Sequence, residues 1–161
     1  MNVSATTLKW ALRFYPPLFF QRIWVQQFAD DFKSVKVKIN HSLFNKNYNK
    51  TIFGGTIFSA SDPFYAILFD QILRRKGFKT RVWLKSASIQ YLKPGSTDLF
   101  FKVVISDEEI AEAETALTTI GKFVKTFPME IVNTKGEICA LVNNEVYVRN
   151  LYHGETNTIA Y

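Results

Sequence analysis

Two features of the stretch NKNYNKTIFGGTIFSASDPFYAILFDQILRRKG, residues 45–77, could do chemistry: the glycine pair Gly54-Gly55 and the carboxylate of Asp62. Glycines at the start of a helix leave backbone N–H groups free and let a ligand approach the main chain, so they suit polarisation of a carbonyl oxygen. A carboxylate inside an apolar run suits a nucleophile or a general base for water; burial raises its pKa and nearby N–H donors lower it. Each feature also has a plainer reading. The glycines fit a tight turn, and Asp62 before Pro63 fits a helix cap with proline at the first helical position, which would break or restart the helix there.

The element that must carry these groups is a helix. From Ile57 to Leu73 apolar residues fall on almost every helical face, so the helix is expected to be buried on most sides. Asp62, Pro63 and Asp70 interrupt the run well short of the roughly 18 apolar residues of a membrane span. Arg74-Arg75-Lys76 and Gly77 close it, as the dipole and the position after a helix prefer.

The other elements follow from period and punctuation. Ser4 caps a helix over residues 5–15, with Leu8, Ala11, Leu12 and Tyr15 on one side, and Pro16-Pro17 stops it. Residues 1–30 are thus expected to form an N-terminal helical extension. Lys33 to Asn40 alternates as a half-buried strand. Arg81 to Tyr91 places Trp83, Ala87, Ile89 and Tyr91 on one face, and Leu99 to Ile105 reads as a central strand. Ser106 and Glu109 have capping-box spacing for a helix from Asp107 to about Ile120, with Ile110, Ala113, Leu117 and Ile120 as its apolar stripe. Phe123 to Val132 alternates, with Pro128 predicting a bulge or an edge. A last strand runs over Glu137–Arg149, and residues 150–161 read as a mobile polar tail. Strands gathered after one buried helix give an α+β class with an antiparallel sheet of five to six strands, in a single domain over 1–161.

Composition excludes several classes. The 161 residues are 47% apolar, with a net charge of +6 and a pI near 9.4. That content excludes general disorder, and the scattered basic residues form no nucleic-acid motif. Cys139 is the one cysteine, so there is no internal disulfide and no Cys-based metal site; His41 and His153 are too few and too isolated for zinc. No metal or cofactor is expected. The aromatic-rich residues 8–28 are broken by Arg13, Pro16-Pro17 and Arg22 and do not read as a signal peptide, and a cytoplasmic location fits.

The strings NKNYNKTIFGGTIFSASDPFY, Val82-Trp83-Leu84-Lys85 with Lys93-Pro94-Gly95, and Tyr147-Val148-Arg149 resemble blocks of the hot-dog superfamily, in a thioesterase-like branch mostly of unknown function. There an Asn-Arg-Asn-Tyr run leads into Gly-Thr-His-Phe-Gly-Gly, and an Asp-Pro-Phe-Tyr follows. The resemblance implies a curved antiparallel sheet around one long helix and a homodimer or a tetramer of dimers, joined along the strand at 81–91. It further implies active sites at the seam for a small-molecule thioester or acyl ligand, including coenzyme A esters. It assigns Asp62 and the Gly55 N–H to catalysis, and Asn47, Thr51, Phe53, Gly54, Ser61 and Tyr65 to ligand contact. For Asn47 the plainer reading is a turn beside Asn45 and Asn49, and for Ser61 a helix-packing hydroxyl. Arg74, Arg75, Lys76, Lys79 and Arg81 could meet phosphates or simply form a solvated helix end. Two departures stand out. Ile52 replaces the family's histidine and Leu84 an acidic residue, which favours a non-catalytic binder as the alternative to a hydrolase.

Overall fold

The computed structural model describes residues 3–153. Its order is α1 (Ala5–Phe14), α2 (Pro16–Phe20), β1 (Ile23–Phe28), β2 (Ser34–Ile39), α3 (Gly54–Ser61), α4 (Pro63–Arg75), β3 (Thr80–Tyr91), β4 (Leu99–Val104), α5 (Asp107–Thr119), β5 (Lys122–Asn133) and β6 (Ile138–Asn150). The strands form one six-stranded sheet in the order β1-β2-β4-β5-β6-β3, every neighbouring pair antiparallel. This is the expected α+β architecture. The strand after the buried helix, β3, is a sheet edge.

The helix in the sheet's embrace is α3 and α4 in near continuity. Asp62 between them keeps right-handed helical angles, φ −65° and ψ −58°, and its side chain makes no capping bond. The break comes from Pro63, which has no N–H to return to the preceding turn. Ile57, Ala60, Phe64, Leu68, Phe69 and Leu73 are buried. Aromatic contacts lock α4 to the sheet: Phe64 against Phe101 at 5.7 Å between centroids, Tyr65 stacked on Phe127 at 4.7 Å, and Phe69 against Phe123 and Phe127 at 5.7 and 5.5 Å. One face stays open, however. Phe53, Phe58 and Asp62 are exposed, so the helix is not enclosed all round.

Several local expectations are corrected. Pro16-Pro17 ends α1 but starts α2, because proline suits the first helical turn. The expected helical extension stops at Phe20: residues 23–28 are a strand, held in register with β2 and bulged after Val25. Ala5, Leu8 and Leu12 of α1 pack on the core, whereas Ala11 and Tyr15 are exposed. Trp83 lies on the face opposite Ala87 and Ile89, because a bulge between Leu84 and Ser86 shifts the parity of β3; it stacks on Tyr147 at 4.4 Å. Ile120 is exposed, as the helix has already ended at Thr119. Of the two alternatives at Pro128, the edge holds and the bulge does not. Pro128 pairs in register with Asn143, at a point where β5 has parted from β4, whose ladder covers only Leu99–Asn133 and Phe100–Val132. Of the tail expected over 150–161, Asn150 still belongs to β6, residues 151–153 form a turn, and residues 154–161 lie outside the described residues. No described helix is long and apolar enough to cross a membrane.

The capping box of α5 is complete: Glu109 N–H donates to Ser106 Oγ at 3.2 Å, and Ser106 N–H donates to Glu109 Oε2 at 2.8 Å. Ser106→Ala removes one half of it. The expected cost is about 1 kcal/mol, a fall of roughly 2–4 °C in a melting curve, and an unchanged melting temperature would contradict that role.

Candidate functional site

The site is built from the start of α3 and the junction with α4. Upstream, residues 45–53 close a hydrogen-bonded loop. Asn45 Nδ2 donates to the carbonyls of Gln21 and Asn40 at 2.9 and 2.8 Å. Asn47 N–H donates to the Thr51 carbonyl at 2.8 Å, and Thr51 N–H returns to Asn47 Oδ1 at 3.1 Å. Phe53 N–H donates to the Asn45 carbonyl at 2.7 Å, which fixes where the helix begins.

At that beginning the Phe53 carbonyl already accepts from Thr56 and Ile57 N–H, at 2.9 and 3.2 Å. The N–H groups of Gly54 and Gly55 have no partner among the described residues. They are two of the orphan donors every helix start carries, and the dipole adds positive potential there. Both glycines also sit close to aromatic rings, so a side chain at either would force a neighbour to move. A Cβ at Gly54 would sit 3.1 Å from the Tyr91 ring, and one at Gly55 only 2.3 Å from the Phe53 ring. Tyr91 OH donates to the Gly54 carbonyl at 2.8 Å, tying edge strand β3 to the helix start.

Gly55, Phe58 and Asp62 stand at i, i+3 and i+7, on the one open face of the helix. The Asp62 carboxylate is exposed in the single chain and has no hydrogen-bond or ion-pair partner among the described residues. Partial desolvation alone raises its pKa above the ordinary carboxylate value. No cation nearby opposes that shift, so it is a somewhat basic, uncommitted carboxylate. Its backbone is held from behind. Fully buried Asn144 on β6 donates its Nδ2 to the Ser61 carbonyl at 3.0 Å, one residue before Asp62.

The sequence candidates therefore divide into three groups. Gly54, Gly55, Phe53 and Asp62 share the open side. Asn47, Thr51 and Gly54 line, with Ile52, Ile57 and Tyr91, a cavity of about 320 Å³ between the helix start and the end of β3. Asn47 and Thr51 spend their polar atoms largely on each other, Asn47 Nδ2 meeting Thr51 Oγ1 at 2.9 Å, as turn residues do. Ser61 and Tyr65 point elsewhere. Ser61 is buried and donates to the Phe58 carbonyl at 2.7 Å. Tyr65 is buried against β5, its OH donating to the Pro128 carbonyl at 2.9 Å, and burial, then Glu109, pushes its pKa up to about 12.

Tyr91 and Asn144 were not singled out by sequence. Tyr91 could have been found from its inward parity at the end of β3. Asn144 could have been found as an amide at an inward position of an otherwise apolar strand. Four of the five basic residues around the end of α4 are committed within the chain, and Arg81 is exposed. Arg74 pairs with Asp70 at 3.0 Å and Lys76 with Glu114 at 3.0 Å. Arg75 donates to the Val3 carbonyl at 2.8 Å, and Lys79 donates to Tyr152 OH at 3.0 Å. Cys139 is a buried core residue. No group of three or more His, Cys, Asp or Glu among the described residues could hold a metal.

Comparison with known proteins supplies the context. Residues 5–148 match the domain of unknown function DUF4442. Among solved structures, the chain is similar to a protein of unknown function from Pseudomonas aeruginosa, named as a probable thioesterase. That match has 19% identity and a TM-score of 0.71, over 90% of this chain and 95% of that one. It is also similar to a protein of unknown function from Chlorobaculum tepidum, with 12% identity and a TM-score of 0.76, over 92% and 98% of the two chains. A thioesterase from Haemophilus influenzae matches with 9% identity and a TM-score of 0.69, over 97% of each chain. At these identities the likeness shows the hot-dog fold. No curated protein matches the sequence.

Proposed function

The chain belongs to the DUF4442 family and has the hot-dog fold of thioesterase-like proteins; from that premise we propose that it hydrolyses an acyl-CoA or related thioester at the seam between two copies. The observation that carries this reading is the pairing, on one open helix face, of unpartnered N–H donors at Gly54-Gly55 with the unpartnered carboxylate of Asp62.

Asp62 takes a proton from water, and the oxygen of that water attacks the thioester carbonyl carbon. The negative charge that develops on the carbonyl oxygen is met by the Gly55 N–H. Collapse of the tetrahedral intermediate breaks the C–S bond, and the thiol leaves with the proton. Donors aimed at where charge develops supply much of such a rate enhancement. Within one chain, Gly55 and Asp62 are two helical turns apart, about 10 Å along the axis. A second copy running antiparallel across the β3 edge would bring one chain's helix start toward the other's acid. That seam would also cover the outer ladder groups of β3, a twelve-residue strand with a neighbour on one side only.

The test is thiol release from acyl-CoA esters of graded chain length, on protein whose mass in solution has been measured. Release by a species of twice 18.6 kDa or a multiple of that is expected. A strictly monomeric protein, or no release at any chain length, would overturn the proposal. One observation favours a second reading, a non-catalytic acyl binder: Ile52, at the position where the resemblance implies a histidine, is buried and lines the cavity with an apolar side chain. Apolar ligands retained through purification, without turnover, would support it.

A further inference from the structure

The end of the sheet remote from β3 carries a surface with no part in thioester chemistry. Residues 3–29 include Lys9, Arg13 and Arg22 and contain neither Asp nor Glu. Large aromatic side chains stand open there: Trp10 is 47% exposed, Phe14 68%, Phe20 63% and Phe44 69%. They form a connected layer. Trp10 stacks on Phe14 at 6.2 Å, Phe14 on Phe19 at 6.4 Å, and Phe19 meets Phe20 edge-on at 5.5 Å. The cations are threaded through it. The Arg13 guanidinium lies over both Trp10 and Trp24, at 4.9 and 5.6 Å, and that of Arg22 over Phe19 and Phe44, at 5.6 and 4.5 Å.

Exposed aromatic rings and cations are interleaved in this layer. Folding leaves it open although aromatic burial is strongly favourable, and contiguous exposed apolar area of this kind marks an interaction surface. The partner is constrained by charge. Self-association about a two-fold axis would set the patch against itself, so Lys9, Arg13 and Arg22 would meet their copies, and residues 3–29 hold no carboxylate to pair with them. Pairing through the edge of β1 is blocked as well. α1 lies along that edge, and Arg13 Nε donates to the Val25 carbonyl at 3.0 Å. What fits is a surface with anionic groups outside and an apolar layer just beneath. Aromatic rings interleaved with Lys and Arg on a short amphipathic helix are the pattern of a segment lying in a bilayer interface.

We propose that α1, α2 and the adjoining Trp24 and Phe44 form a docking surface for an anionic lipid bilayer, with Phe14 and Phe20 entering the acyl boundary and Lys9, Arg13 and Arg22 meeting the headgroup phosphates. This does not depend on the thioesterase reading. The assay uses no thioester, so either proposal can fail alone.

The test is sedimentation with vesicles of phosphatidylcholine alone and of phosphatidylcholine with phosphatidylglycerol. The protein is expected to sediment with the anionic vesicles, less so as salt rises, and much less with the neutral ones. Phe14→Ser with Phe20→Ser should weaken anionic binding by about tenfold or more while solution mass and melting temperature stay put, since both rings are exposed. A second readout leaves every residue of the patch unchanged. Trp83→Phe leaves Trp10 and Trp24 as the tryptophans, and their emission should shift to the blue on anionic vesicles and be quenched by brominated lipid. Absence of sedimentation, binding indifferent to lipid charge, an unshifted emission, or a double variant whose solution mass falls would each overturn the proposal, the last in favour of a second copy on this face.

Discussion

Asp62→Asn is expected to slow thiol release by about 10²–10⁴-fold, the usual worth of a positioned general base, with KM and solution mass little changed. The amide keeps the shape of the side chain but cannot take a proton from water. Equal rates for the two proteins would rule out Asp62 as the base. The pH profile adds a second check. Desolvation holds the carboxyl pKa above its ordinary value, so the base form is populated only above that raised pKa. Rates should therefore rise with pH through a midpoint higher than that of a free aspartate. The linked stability effect has the opposite direction. A carboxyl whose pKa is higher folded than unfolded favours the fold while protonated, and that contribution is lost as pH rises through the folded value. At neutral pH the asparagine variant should thus melt no lower than the parent, despite having lost its activity. A variant that is both inactive and markedly less stable would point to a structural role instead.

Phe69→Ala should cost about 3–5 kcal/mol, the range for deleting a buried aromatic ring. Phe69 is fully buried on α4, and its ring meets both Phe123 and Phe127 of β5. Those contacts seat the helix that carries Asp62 and the glycine pair. A loss of unfolding free energy below about 1 kcal/mol in chemical denaturation would contradict that packing role. Phe69→Leu, which keeps most of the volume, should recover most of the stability. If Phe69→Ala folds at all, its residual activity reads how tightly the Asp62 face is positioned by packing two turns away.

Elements with local signals were legible before any coordinates. The alternation in 33–40 and 123–132, the capping box at Ser106 and Glu109, and the apolar run from Ile57 to Leu73 each needed only their own residues. Strand β1 was not legible, since aromatics and two arginines hide a short period and its register comes from β2. Trp83 was placed on the wrong face because a single bulged residue inverts parity, and nothing in the local sequence announces it. That the helix is buried on most sides was legible, but which side stays open was not. Phe58 is as apolar as Phe64, and only the position of the sheet decides which one is covered.

For the site the division is similar. By itself the sequence determined which groups were available: Gly54-Gly55 ahead of a buried helix, one acid before Pro63, and apolar side chains at Ile52 and Leu84. Those follow from residue identity and spacing along one element. Only the tertiary structure decided that Asp62 spends no lone pair on capping, that Asn47 and Thr51 satisfy each other, and that Ser61 and Tyr65 turn inward while Asp62 turns out. It also brought in Tyr91 and Asn144 from strands far along the chain. A helix fixes the angle between its own side chains, but what lies beyond each of them is set by long-range strand pairing, which no local pattern encodes.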